Sequence, residues 1–124
     1  MIAQSLANAY APGPEPMARL TRLMSRAEGD RAVSVRGVMA LEQAVLATPG
    51  MTGIVLGYGL LYGPGTWCDR PAERPSLHID AAAHAALLAA IRGGRGAYNI
   101  ADDDGAVSIA KARAELGFDT AFRL

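Results

Sequence analysis

Gly53-Ile54-Val55-Leu56-Gly57-Tyr58 is the stretch that decides the fold. It has no polar alternation and is too short for a globular helix, so it predicts a strand covered on both faces, the central strand of a parallel sheet. Upstream, Val35, Val38, Leu41 and Val45 mark one face of a helix that Thr48-Pro49-Gly50 stops, by removing a donor and supplying a permissive residue. Downstream, beyond a loop holding Pro64, Pro71 and Pro75, Leu77-His78-Ile79 reads as a brief strand. Asp80 is then placed to cap a helix over 81–92, with Ala83, Leu87, Leu88 and Ile91 facing the core. Gly93-Gly94 would close that helix in the left-handed conformation, and 97–101 reads as another strand. Ser108 would cap a final helix carrying Ile109, Ala112 and Leu116 before Gly117. Helices alternating with strands define an α/β fold.

The chain has 124 residues, which sets one domain as the expectation for 1–124: a strand-like start at 1–10, a variable segment at 11–33 and a regular region at 34–124. Pro12, Pro14 and Pro16 exclude regular structure there, and Met17, Leu20, Leu23 and Met24 predict a short amphipathic helix over 17–27, ending at Gly29. Twelve basic residues balance twelve acidic ones, so the charge calls for no nucleic acid. Arg19, Arg22, Arg26, Arg31 and Arg36 lack aromatic interleaving and read as a solvated face. No run is long enough to span a membrane, and no signal segment opens the chain. The single cysteine, Cys68, reads as a loop thiol, and a cytoplasmic location is expected.

Several constellations point to chemistry without carrying it. Gly57, Gly59 and Gly63 follow a strand, with Asp80 about twenty residues on, as in a dinucleotide-binding fingerprint. Their spacing is one residue too long, and Pro64-Gly65 stands where a helix would have to begin, so a tight strand-end loop is expected instead. Asp80 and His84, with His78 nearby, read as a cap and a surface ion pair rather than metal ligands. Asp102-Asp103-Asp104 runs into Gly105 and reads as a turn, so no metal is expected.

Leu60-Leu61-Tyr62-Gly63-Pro64-Gly65, with the strand before it, resembles the strand and Tyr-Gly-Pro-Gly turn of extended short-chain dehydrogenase/reductases of the NAD-dependent epimerase/dehydratase group. His78-Ile79-Asp80-Ala81 resembles that family's next motif, with Ala81 for its second aspartate, and Tyr98-Asn99-Ile100 resembles its later strand. Ile2-Ala3-Gln4-Ser5, followed by Tyr10, resembles the strand that ends in the catalytic serine.

The resemblance implies the C-terminal part of a Rossmann-like NAD(P)-binding fold, with parallel strands flanked by helices. It makes Ser5 the candidate catalytic residue and Tyr58, Gly59 and Leu60 the candidate cofactor and substrate contacts, although Gly57 and Leu60 replace a usual arginine and a frequent asparagine. The family's cofactor is NAD or NADP. Its catalytic tyrosine and lysine correspond to Ser34 and Val38, counted back from Glu42, and neither replacement can transfer a proton or hold a ribose. The expectation is therefore a truncated, noncatalytic scaffold that binds no dinucleotide tightly alone. The alternatives are a subunit completing an oxidoreductase with a nucleotide-binding chain, or an oligomeric interaction module, most simply a homodimer.

Overall fold

A computed structural model describes residues 1–7 and 30–124. The proline-rich segment, Tyr10, the helix expected over 17–27 and the arginines from Arg19 to Arg26 lie outside the described residues. Three strands, β1 (Ile2–Leu6), β2 (Ile54–Tyr58) and β5 (Gly96–Ile100), form a parallel sheet in the order β1-β2-β5. Two short strands, β3 (Leu60–Tyr62) and β4 (Ser76–His78), pair in parallel beside it. The helices are α1 (Asp30–Ala47), α2 (Ile79–Arg92) and α3 (Ala110–Leu116). None of the described helices is long and apolar enough to cross a membrane.

The strand read from Gly53–Tyr58 is central, with Ile54, Val55, Leu56 and Gly57 all buried. Alternation along β2 sends Ile54, Leu56 and Tyr58 to one face and Val55 to the other. On the first face Leu56, Leu77, Tyr98, Ile100 and Leu116 form the core beneath α2 and α3. On the second, α1 places buried Val35 and Val45, while Leu41 stays 40% exposed at the flank. A parallel sheet with helices on both faces is thus the architecture, and it is Rossmann-like. Helix α1 stops after Ala47, and Gly50 takes the left-handed conformation at φ 73°.

Four local expectations need correction. In α2 the buried residues are Ala81, Ala82, Ala85, Leu88 and Ala89, whereas Ala83 is exposed and Leu87 and Ile91 are 57% and 68% exposed. Only Leu88 of the expected set reaches the core, because the small alanine face lets the helix approach the sheet. The α2 cap is His78, whose Nδ1 accepts from the Asp80 N–H at 3.2 Å; Asp80 instead sits in the first turn, where its carboxylate meets the helix dipole. Gly93 is extended at φ −67°, ψ 127°, not left-handed, and its missing Cβ makes room for the Ile54 side chain and the Ala89 carbonyl. Buried Ile109 occupies the α3 cap position and makes no side-chain bond there, while Ser108 Oγ, one residue earlier, accepts from the Ala110 N–H at 3.4 Å. At the other end of α3, Gly117 closes the helix in the left-handed region at φ 74°.

Candidate functional site

Ligands of open parallel sheets bind outside the carboxyl ends of the strands. Here those ends of β1 and β2 open into a groove of about 700 Å³, lined by Gln4, Leu6, Tyr58, Gly59, Leu60 and Trp67, and closed at one side by Ile79 at the start of α2. All three residues picked out as contacts, Tyr58, Gly59 and Leu60, therefore share one cavity. Burial pushes the Tyr58 phenol above its ordinary value, and its hydroxyl donates to the Ala82 carbonyl at 3.0 Å. Leu6 and Leu60 are each 43% exposed, and the Trp67 indole is fully exposed.

Gly59 is the hinge between the two sheets. Its N–H donates to Ile100 O at 2.9 Å, and the next N–H, of Leu60, donates to Pro75 O at 2.8 Å. A Cβ at Gly59 would stand 2.6 Å from Ser76 O and 2.8 Å from Ser76 C, so the backbones cross too closely for a side chain. Gly63, at φ 111°, is likewise packed against the His78 ring, 2.7 Å from a virtual Cβ. These glycines serve close packing and flank β3, and neither leads into a helix N-terminus that could receive a pyrophosphate. The run does not fit a dinucleotide.

Ser5 faces the other way from Gln4 and Leu6. Its hydroxyl is buried on the α1 side and donates to Glu42 Oε1 at 2.5 Å. Ser34 and Val38 stand two turns and one turn ahead of Glu42 on α1; Ser34 is exposed and Val38 half-buried. Neither supplies a phenol or an ammonium. The chain's one lysine, Lys111, donates to Ala97 O at 3.1 Å and lies 4.4 Å over the Tyr98 ring, so it does not replace the family lysine.

Burial pushes the Glu42 carboxyl above its ordinary 4.5, and the Ser5 hydrogen bond only partly offsets this. The folded state then holds the proton to higher pH than the unfolded state does, so stability falls as pH rises from 4.5 through the raised value. Glu42→Gln keeps an oxygen for Ser5 and removes the ionisation. Its unfolding free energy relative to the native protein is expected to increase as pH rises from 4.5. Urea unfolding at a series of pH values checks this, and a difference that does not change with pH contradicts it.

The remaining polar residues build loops. Asp102 Oδ2 accepts from Ser76 Oγ at 2.9 Å, Asp103 pairs with Arg113 at 2.9 Å, and Asp104 Oδ1 accepts from the Ala106 N–H at 2.9 Å, so the aspartate run is the turn its spacing indicates. The expected Asp80–His84 ion pair does not form: His84 stacks on Phe122 with centroids 3.9 Å apart, and Asp80 Oδ2 accepts from the Leu124 N–H at 3.2 Å. Among the described residues no three metal-binding side chains converge. Cys68 is a free thiol in the loop after Trp67. Gln4, Leu6 and Trp67 escaped the sequence reading, although strand alternation around Ser5 already puts Gln4 and Leu6 on the opposite face.

A Rossmann-like α/β domain with an open groove at its strand ends is the class these features define. One curated relative, the 3-diazoavenalumate denitrifying reductase of a Streptomyces species, is 33% identical over 125 aligned positions, covering 84% of this chain. The chain spans 41% of that relative's length. No family model matches the chain, and no solved structure matches it.

Proposed function

We propose that this domain forms the substrate-side part of an NAD(P)-dependent oxidoreductase of the epimerase/dehydratase type, and that it neither binds the dinucleotide tightly nor turns over alone. The observation that carries this reading is the groove at the carboxyl ends of β1 and β2, where Tyr58, Gly59 and Leu60 come together. The Streptomyces relative is by name a reductase, which favours reduction over epimerisation. Ser34 and Val38 at the proton-transfer positions support a scaffold role.

A nucleotide-binding chain completing the site is favoured by β1. It pairs only with β2 among the described residues, and Ile2 and Leu6 on it are 39% and 43% exposed. A parallel sheet is stable when its strands are paired and covered, so this edge is suited to a further strand. Purification of the protein from its native cells tests the reading. A co-eluting polypeptide with a glycine-rich strand–turn–helix is expected in the mass spectrum of the purified complex. A homogeneous preparation without one sinks the reading.

A further inference from the structure

We infer that the groove takes the planar aromatic portion of a ligand, stacked on the Trp67 indole, with any ionised group of that ligand left outside. This deepens the substrate-side reading of the same groove and rests on it. Among the described residues no charged side chain lines the cavity. An ionised group drawn into it would lose its water without meeting a counter-charge, which is costly. The nearby start of α2 does not supply one either, because Asp80 stands in its first turn and His78 already caps the Asp80 N–H.

The polar atoms at the walls are largely committed. Tyr58 spends its hydroxyl on Ala82 O, and Thr66 Oγ1 lies 2.8 Å from Gly63 O and 2.9 Å from Cys68 O. Among the described residues, what remains for a ligand is apolar and flat: the Tyr58 ring, Leu6, Leu60 and the fully exposed Trp67 indole. Among the described residues exposed Gln4 is the one polar side chain on the β1 wall, able to meet a single hydroxyl or carbonyl on the ligand rim. A volume of about 700 Å³ is that of a small-molecule site. Sugar nucleotides, with two phosphates and a polar ring, are the wrong chemistry for this wall.

Trp67 is the chain's only tryptophan, so its emission reports on this groove alone. The test is titration of the full chain with methyl para-hydroxycinnamate and, separately, with uridine diphosphate glucose, followed by fluorescence and by calorimetry. Saturable binding of the arene with a change in Trp67 emission is expected, and no saturation by the sugar nucleotide. By calorimetry Trp67→Phe should bind within about threefold of the native protein, whereas Trp67→Ala should bind about tenfold more weakly, because a stacking surface is lost. Leu60→Asp, at another exposed wall position, should abolish binding.

No saturation by the arene overturns the inference. So does unaltered binding in Trp67→Ala, or sugar-nucleotide binding that Leu60→Asp removes. Absence of arene binding in a protein that does co-purify with a nucleotide-binding chain would remove the ligand class and leave the substrate-side reading standing. Arene binding in a protein with no such partner would do the reverse.

Discussion

Gly59→Val is expected to lower the stability of the domain by more than about 3 kcal/mol, at or above the upper end of the cost of overpacking a tight site. The obstacle is backbone: a Cβ at residue 59 would meet Ser76 O at 2.6 Å, Ser76 C at 2.8 Å and Pro75 O at 3.0 Å, with no flexible side-chain end to yield. To fit, the chain would have to separate β2 from β4 and break the Leu60 N–H to Pro75 O bond beside it. Because Gly59 and Leu60 line the groove, its shape would be lost together with stability. Urea unfolding of native and variant protein measures the effect, and a loss below about 1 kcal/mol would contradict so close an approach of the two backbones.

Tyr98→Ala is expected to cost about 3–5 kcal/mol, the range for truncating a large buried aromatic. Tyr98 is 1% exposed in the centre of the core, and its hydroxyl donates to Glu115 Oε2 at 2.8 Å, tying β5 to α3. Lys111 lies over the same ring. Truncation opens a cavity among Leu56, Ile100 and Leu116 and releases the α3 anchor together. Domains of this size have about 5–15 kcal/mol in hand, so the variant should be largely unfolded by mild heating. Tyr98→Phe separates the two effects, since it keeps the ring and forgoes only the hydroxyl bond, about 1 kcal/mol. Calorimetric unfolding of both variants checks the pair; equal losses would assign the whole effect to the hydroxyl.

The parts of the fold legible in the sequence are those where one physical signal dominates. The apolar run at Gly53–Tyr58 has a single reading, a strand covered on both faces, and so does the stop at Thr48-Pro49-Gly50. The face of α2 was not legible from side-chain size, because alanines rather than Leu87 and Ile91 pack on the sheet. Hydrophobicity ranks those two residues above Ala81 and Ala85, yet the space between helix and sheet is filled by alanines and Leu88. His78 as a cap was hidden because Asp80 is the stronger capping type, while the geometry gives the extended position to the residue before Ile79. Strand β3 is three residues long, below what periodicity can signal.

Of the groove, Tyr58, Gly59 and Leu60 were accessible through the resemblance in their motif. Trp67 was not, since only the path of the loop after Gly65 brings it to that wall. Ser5 carries the opposite lesson. Its motif suits a substrate-facing hydroxyl, but the strand turns it toward α1 and Glu42 takes its proton-donor capacity. Two of the glycines that imitate a nucleotide fingerprint, Gly59 and Gly63, are explained by the backbone of Ser76 and the ring of His78. Motif spacing alone does not separate close packing from ligand approach.

Calorimetric titration of the purified chain with NADH and NADPH, with oxidation of the cofactor followed in the same samples, tests the central claim most directly. A substrate-side scaffold should give no saturable heat up to about 1 mM and no turnover. Saturation at micromolar cofactor together with turnover would contradict it, and would make this domain an oxidoreductase in its own right.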